Sequence, residues 1–326
     1  MANLLPRLDE IESAAALVHE VVPPTPQFEW PLLSARCRCS VIVKHENHTV
    51  VGAFKVRGGI VYMDRLARES PHVQGIVSAT RGNNGQSLAF AAGRHGIRIA
   101  IVVPHGNSIE KNAAMQALGA ELIEEGHDFQ AASEAAERIA AERGWHRVPS
   151  LDPMLVRGVA TYALELFHEH PGLDTLYVPI GLGSGICGAI AARDGLGLGT
   201  RIVGVVSSGA PAYALSVRAG KAVSHDVTTE LADGMACRVP VAAALEVILA
   251  GAARIVQVSD AEVAAAMRAY FSDTHNVAEG AGAAALAALL QERETRDSDT
   301  VVGRKVGVVL SGGNVDRAVF AKVLAM

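Results

Sequence analysis

Short runs of β-branched and aliphatic residues alternate with alanine-rich stretches along nearly the whole chain. The runs have the length and composition of buried strands, and the stretches between them have the length of helices. Strands that alternate with helices form a mostly parallel sheet covered by helices on both faces. The pattern therefore predicts an α/β protein with strands at residues 75–80, 97–104, 120–125, 175–181, 201–208, 253–259 and 305–313.

Two helix boundaries are also visible in the sequence. The stretch from Ser259 to Glu262 has the pattern of a capping box and predicts a helix that runs to about Tyr270. Gly96 follows an alanine-rich stretch that begins after Gln86, and a glycine at that place is typical of a helix end. These helices fill the intervals between the predicted strands.

The predicted elements divide the chain into two domains. Residues 48–157 contain three strand-helix pairs and form a small domain, while residues 1–47 plus 158–326 form a large one. No low-complexity linker separates them, and no repeat of solenoid length occurs. We therefore expect two α/β lobes that the chain enters more than once.

Composition narrows the classes of function. The chain has 326 residues, 50% of them hydrophobic and 19% charged, which suits a large buried core. The net charge of -5 gives no basic surface for nucleic acid. The amino-terminal residues lack the pattern of a secretory leader, and no apolar run is long enough to span a bilayer, so we expect a cytoplasmic protein without membrane contact. The spacing of Cys37, Cys39, Cys187 and Cys237 fits neither a disulfide framework nor a zinc site.

A glycine-rich turn at residues 178–192, VPIGLGSGICGAIAA, predicts an anion site. The run leads from a strand into a helix, where free backbone N–H groups and the positive helix end attract a phosphate. A dinucleotide site is disfavoured, because Ile186 breaks the G-x-G-x-x-G spacing and no acidic residue follows the next strand. A mononucleotide, a phosphorylated cofactor and a glycine turn without ligand all remain open.

Three further stretches carry candidate chemistry. Residues 78–87, SATRGNNGQS, form either a cradle for a carboxylate or a turn in which Asn83 or Asn84 caps a helix. Residues 308–315, VLSGGNVD, are either a tight turn or a place where Ser311 presents a neutral hydroxyl at the carboxyl end of a sheet. Lys55 in VVGAFKVRGG has apolar and glycine neighbours, and is either a surface lysine or a functional amine.

Taken together and in this order, the four stretches resemble the fold-type II family of pyridoxal 5'-phosphate enzymes, most closely its serine/threonine dehydratase branch. The resemblance covers nearly the whole chain and includes the pattern G-[SA]-F-K-x-R-G around Lys55. It implies a two-domain fold like that of the tryptophan synthase β chain. It also implies that Lys55 binds the cofactor as a Schiff base, that Phe54 packs on the cofactor ring, that Asn83 binds the ring hydroxyl and that Ser311 faces the pyridine nitrogen. The cofactor phosphate would be held by Gly181, Leu182, Gly183, Ser184 and Gly185. The substrate would be held by Thr80, Arg81, Gly82, Asn83 and Asn84.

The resemblance implies an ammonia-lyase. Ser311 cannot keep the pyridine nitrogen protonated as a carboxylate would, which favours elimination over transamination. We expect L-threonine or L-serine to lose its β-hydroxyl and its amino group, giving a 2-oxo acid and ammonia. A lowered pKa would make Lys55 nucleophilic, and we expect desolvation beside other cationic groups to lower it. The alternatives are a 3-hydroxyaspartate-type or other catabolic hydroxy amino acid substrate, a β-replacing synthase, and a binding protein without activity.

The sequence departs from the family at Arg81, where racemases of the family have a proton-shuttling serine. A guanidinium stays protonated, so racemisation is disfavoured. Arg81 either clamps a second acidic group of the substrate or points to water. We expect no metal after the strand at residues 202–206, because the stretch VVSSGAPAYA at residues 205–214 contains no Asp or Glu. We also expect no isoleucine feedback, because the sequence ends soon after Ser311. Glu279 and Asp233 match family positions but also suit structural roles. The family implies a homodimer or homotetramer.

Overall fold

Two helix-covered sheets make up the chain in a computed structural model that describes residues 4–294 and 304–326. The strands are β1 (Gln27–Glu29), β2 (Ser40–His45), β3 (Gly75–Ala79), β4 (Arg98–Val103), β5 (Glu121–Glu124), β6 (His146–Arg147), β7 (Thr175–Pro179), β8 (Arg201–Ser207), β9 (Arg254–Val258) and β10 (Lys305–Leu310). The helices are α1 (Leu8–His19), α2 (Pro31–Cys37), α3 (Lys55–Glu69), α4 (Asn83–Arg94), α5 (Ile109–Ala117), α6 (Phe129–Arg143), α7 (Pro153–Glu169), α8 (Ser184–Gly195), α9 (Ala212–Ala219), α10 (Ala242–Gly251), α11 (Asp260–Thr274), α12 (Gly280–Glu294) and α13 (Arg317–Leu324).

The larger sheet has six strands in the order β1-β2-β10-β7-β8-β9, and the smaller has four in the order β5-β4-β3-β6. Every pairing is parallel except that of the edge strand β1 with β2. All the predicted strands are present, and the predicted α/β class is confirmed. The capping box of Ser259 and Glu262 opens α11 as expected.

The sequence pattern missed three strands, β1, β2 and β6. The first and last are too short to produce a recognisable run. Strand β2 carries Lys44 and His45, which look like surface residues but are fully buried. Burial of Lys44 is possible because the carboxylates of Glu46 and Glu165 lie beside it, while His45 accepts a hydrogen bond from Trp30.

A buried ionic cluster fixes the start of α3 beneath the larger sheet. Arg57 donates to Glu46 at 2.7 Å and to Glu165 at 2.5 Å. Lys44 donates to the other oxygen of Glu165, also at 2.5 Å. Two cations and two carboxylates balance each other here, which is the condition under which charges can be buried. The cluster holds Arg57, and with it the first turn of α3, against β2 and α7.

The amino-terminal helix α1 packs with both sides of the molecule. Its residues Ala14 and Val18 share a core with Ile60 and Met63 of α3, while Ile11 and Ala15 pack with residues of α7 and α8. The predicted division into residues 48–157 and the remainder stays a prediction. No helix within residues 4–294 or 304–326 is long and apolar enough to cross a membrane.

Parallel topology brings the turns that carry candidate chemistry to one place. Thr80 follows β3, Gly181 lies just after β7, and Ser311 follows β10. The carboxyl ends of parallel strands lie at the same edge of a sheet, where open α/β folds place their ligands. Lys55 begins α3 beside these turns, because Phe54 N–H donates to the carbonyl oxygen of Ser311 at 3.0 Å.

Candidate active site

A single cleft between the two sheets is lined by every residue that the sequence singled out as a candidate. The cleft contains about 920 Å³ of space not filled by protein, part of it open to solvent. Its lining includes Phe54, Lys55, Thr80, Arg81, Gly82, Asn83, Asn84, Gly181, Leu182, Gly183, Ser184, Gly185 and Ser311. Residues up to about 257 positions apart in the sequence thus meet in one site.

Lys55 is the first residue of α3, and its side chain is half-buried in the cleft. Its Nζ donates to Ser184 Oγ at 2.9 Å and lies 4.9 Å from the centre of the Phe54 ring. Burial lowers the pKa of Lys55 to about 8. The expected help from neighbouring cations is absent, because burial alone accounts for the lower pKa. The side chain is therefore a cleft amine and not a surface lysine.

The glycine turn forms a cradle of free donors. Within the described residues, none of the backbone N–H groups from Gly181 to Gly185 has a protein acceptor. Two buried tyrosines hold the opposite side of the turn, since Tyr213 donates to the Leu182 carbonyl and Tyr162 to the Gly185 carbonyl, both at 2.9 Å. The carbonyl groups are thus occupied and the amides are left for an anion, at the positive end of α8.

Gly183 is the position where this turn requires glycine. Its φ is +107°, a backbone conformation that side chains disfavour, and an added Cβ would lie 2.8 Å from Cβ of Ala244. Gly185 and Gly188 lie inside α8. Gly188 serves helix packing, because a Cβ there would meet the backbone of Ala160 in α7 at 2.9 Å.

Ser311 provides a neutral hydroxyl on another wall of the cleft. Only 4% of the residue is exposed, and its hydroxyl has no hydrogen-bond partner among the described residues. The residue after it, Gly312, pairs with Ala53 in an isolated β-bridge. Ser311 is thereby fixed next to Phe54 and Lys55, with its hydroxyl available to a ligand.

The turn between β3 and α4 supplies amide groups. Asn83 begins α4, but Gly82 occupies the cap position and no side chain caps the helix, so the capping hypothesis for Asn83 and Asn84 is wrong. The Asn83 amide instead donates to Glu279 Oε1 at 2.5 Å and accepts from Asn314 Nδ2 at 2.9 Å. Asn84 Nδ2 is buried and has no acceptor in the described part of the chain. The Asn84 amide is therefore an unused donor beside the cleft.

Lys111 is a cleft residue that sequence reasoning missed. Its Nζ lies 2.8 Å from Asp233 Oδ2 and 3.0 Å from Glu279 Oε2. Burial disfavours the charge on Lys111, but the carboxylates of Glu279 and Asp233 outweigh it and raise the pKa of Lys111. Burial raises the pKa of Glu279, against the opposing effect of Lys111. Glu279 stands directly before α12, but its side chain contacts Lys111 and Asn83.

Nothing local in the sequence marks Lys111. It lies in α5, IEKNAAMQA, where polar and apolar residues are mixed and where Lys111 and Met115 are the buried residues. Its burial depends on Gly82, because a Cβ at Gly82, where φ is +154°, would lie 2.5 Å from Lys111 Cδ. Only the matches of Asp233 and Glu279 to family positions pointed towards this cluster.

These features define a class of protein: an α/β enzyme with a weakly basic lysine, an anion cradle and an unpaired neutral hydroxyl in one cleft. The set fits pyridoxal 5'-phosphate. The free amides of the glycine turn suit its phosphate, the Phe54 ring its pyridine ring, Lys55 its aldehyde and Ser311 its ring nitrogen.

Comparison with known proteins agrees with this class. The chain matches the family described as "Pyridoxal-phosphate dependent enzyme" over residues 18–312; it belongs to that family and depends on pyridoxal 5'-phosphate. It is 33% identical over 310 residues to the L-threonine ammonia-lyase of Thermotoga maritima, covering 95% of this chain and 76% of that protein. It is 29% identical over 323 residues to the L-threo-3-hydroxyaspartate ammonia-lyase of Saccharomyces cerevisiae, covering 99% and 97%.

A solved structure has nearly the same fold. The structure of maize serine racemase superposes with a TM-score of 0.90 at 26% identity, covering 98% of this chain and 97% of that one. The similarity extends over both sheets of the chain described here. The expected two-lobed fold of the family is thereby confirmed.

Proposed function

We propose that the protein eliminates water from a β-hydroxy amino acid such as L-threonine or L-serine and releases a 2-oxo acid and ammonia. The observation that carries the proposal is the hydrogen bond of 2.9 Å between Lys55 Nζ and Ser184 Oγ. It places an amine of lowered pKa against an anion cradle, in the same cleft as the Ser311 hydroxyl. The names of the threonine ammonia-lyase relatives support the same reaction.

When bound, pyridoxal phosphate supplies the electron sink that acidifies the Cα–H bond of an amino acid. Lys55 holds the cofactor in the resting enzyme and, once released, removes the Cα proton at Nζ. Its pKa of about 8 leaves a useful fraction of the amine unprotonated near neutral pH. The Cα–H and Cβ–O bonds break, a carbon-carbon double bond forms and water leaves. Hydrolysis of the released enamine takes up water and yields ammonia and the 2-oxo acid.

Ser311 directs the outcome in this proposal. Its hydroxyl is neutral and can donate or accept a hydrogen bond, but it cannot hold a proton on a ring nitrogen as a carboxylate can. A cofactor whose ring nitrogen faces this neutral hydroxyl would be a weaker electron sink, which would favour departure of the β-hydroxyl. Racemisation is disfavoured, because Arg81 is a poor proton shuttle at the position where racemases have serine.

The visible absorption spectrum tests the proposal. Purified protein with pyridoxal phosphate should show the band of lysine-bound cofactor, and L-threonine or L-serine should shift it as 2-oxo acid and ammonia accumulate. The Lys55→Ala variant should lack both the band and the activity, whereas Lys322→Ala, at an exposed lysine of α13, should keep them. A wild type that develops no band with added cofactor contradicts the proposal. Incorporation of an added thiol in place of the hydroxyl would instead indicate a β-replacing synthase.

The roles of the individual residues and the assembly belong to the same proposal. Residues 1–47 plus 158–326 form the cofactor-binding domain, and residues 48–157 form the smaller domain. The substrate is a small amino acid, the protein is a cytoplasmic homodimer or homotetramer, and neither nucleic acid nor membrane takes part. Light scattering of the purified holoenzyme measures the assembly, and a monomer at working concentration would contradict it.

A further inference from the structure

Arg81 is a cation in the cleft that has no partner among the residues that the structure describes. It follows Thr80 in the turn between β3 and α4 and is half-buried. Within residues 4–294 and 304–326 its guanidinium makes no hydrogen bond and no ion pair, and its Nε is buried without an acceptor. Burying a donor of this kind without an acceptor costs free energy. A ligand acceptor at this place would remove that cost.

The two carboxylates that line this cleft together with Arg81 are already paired with another cation. Asp233 and Glu279 lie within 2.8 Å and 3.0 Å of Lys111 Nζ. Lys111 therefore neutralises part of their charge. Arg81 is left as a cation that is available to an anion entering from solvent.

The position of Arg81 suits the far end of a substrate. Arg81 lines the cleft that contains Lys55, and it also borders two adjoining cavities, one beside Ser108 and Asn314 and one beside His127 and Arg238. Arg81 therefore lies where the three cavities meet, in the same cleft as the Lys55 amine.

We propose that Arg81 selects a β-hydroxy amino acid that carries a second carboxylate at its β-carbon, with the guanidinium binding that distal carboxylate. This inference rests on the proposed elimination. A guanidinium offers a planar pair of donors that matches a carboxylate, and its hydrogen bonds to an anion are stronger than those between neutral groups. A site that needs such an acceptor discriminates against a substrate that lacks it.

The reaction balances without an additional oxidant or reductant. The Cα–H and Cβ–O bonds break, a Cα=Cβ bond forms and water leaves, with the distal carboxylate unchanged. Hydrolysis of the released enamine takes up one water and gives ammonia and a 2-oxo dicarboxylic acid. Threonine follows the same course, with a methyl group in place of the distal carboxylate.

A binding experiment separates this inference from the elimination itself. Succinate and butyrate have the same carbon chain and differ by the second carboxylate, as 3-hydroxyaspartate and threonine do. Calorimetric titration of the holoenzyme with each acid should show tighter binding of succinate. Arg81→Ser should reduce the preference for succinate by about 10-fold to 100-fold, the loss expected for a hydrogen bond to a charged group. Arg81→Lys should retain part of it, because the charge remains but the paired donors are lost.

Arg94→Ser is the matched control, since it removes the same charge from an exposed position at the other end of α4. It should leave the preference unchanged. An equal loss of succinate and butyrate binding in Arg81→Ser would assign Arg81 to the α-carboxylate and overturn the inference, as would an unchanged preference. Turnover is scored separately, by kcat/KM for 3-hydroxyaspartate and L-threonine. A wild type that turns over neither contradicts the elimination, while the succinate and butyrate titrations still decide the role of Arg81.

Discussion

The ammonium of Lys111 lies 3.0 Å from Glu279 Oε2, across the cleft that separates the two sheets. Lys111 belongs to α5, which lies beside the smaller sheet, and Glu279 precedes α12, which packs on the larger one. Both residues are buried, with Glu279 only 2% exposed. The pair therefore joins the two walls of the cleft through an electrostatic contact with little screening by solvent.

Replacing Lys111 with methionine should destabilise the folded protein. The change leaves the buried carboxylate of Glu279 without its cation, and breaking a buried pair in this way costs about 3–5 kcal/mol. Urea denaturation of wild type and Lys111→Met at neutral pH measures the difference. Arg138→Met removes the exposed contact of Arg138 with Glu142 and serves as the control, with a much smaller effect expected.

The loss of folding stability in Lys111→Met should also depend on pH. Burial raises the pKa of Glu279, and without Lys111 it rises further, so the folded state binds a proton that the unfolded state has released. Stability then falls as the pH rises above the unfolded pKa of a glutamate, about 4.3. The deficit of Lys111→Met should therefore grow with pH above the pKa that Glu279 has in the folded wild type, where only the variant still holds the proton. A deficit that is constant with pH would show that the charge on Glu279 is not its cause.

Lys55 should react as an amine at a lower pH than an ordinary lysine. Burial lowers its pKa to about 8, so the neutral, nucleophilic form becomes the major one as the pH rises through that value. Amine labelling of the protein without cofactor, followed by mass spectrometry, gives the reactivity of each lysine against pH. Exposed Lys322 is the reference in the same sample. A midpoint for Lys55 no lower than that of Lys322 would contradict the expectation.

The strands and the main turns were predictable because they depend on local patterns. The alternation of β-branched runs with alanine-rich stretches located β3 to β5 and β7 to β10, and the parallel topology then brought Lys55, Gly183 and Ser311 together. Strand β2 was missed, because Lys44 appears polar in sequence and is buried only by virtue of Glu46 and Glu165. Such compensation between distant residues leaves no periodic signal.

The electrostatics of the cleft were beyond sequence reasoning for the same reason. Lys111 is buried against Asp233 and Glu279, which lie more than a hundred residues further along the chain. The pKa of Lys55 was expected to fall with the help of cationic neighbours, but burial alone lowers it. In both cases the outcome depends on burial and on pairings that only the fold creates.

Ser311→Asp should reduce elimination. In the proposed site a carboxylate here would favour protonation of the cofactor's ring nitrogen, raising its pKa by about 1–3 units, and the cofactor would then be a stronger electron sink that allows more proton exchange at Cα before the hydroxyl leaves. We expect Cα hydrogen exchange with solvent to increase relative to release of 2-oxo acid, measured by NMR in deuterated buffer. Ser311→Asn is the control, because asparagine has the shape of aspartate without its charge. It should keep a ratio of exchange to 2-oxo acid release close to that of wild type. The same ratio in all three proteins would remove Ser311 from control of the outcome.

Gly183→Ala should weaken cofactor binding, because the added side chain displaces the turn that we expect to hold the phosphate. A side chain at a φ of +107° costs about 1–2 kcal/mol, and its Cβ would lie 2.8 Å from Cβ of Ala244, so the turn must shift. A shift there moves the free amides of residues 181–185 away from the phosphate, and titration of the protein without cofactor should show a Kd at least several-fold higher. Gly197→Ala has a positive φ of +65° but open space around it, so it should carry a backbone cost without a change in Kd. Equal effects on Kd from both variants would mean that the turn at Gly183 does not position the phosphate.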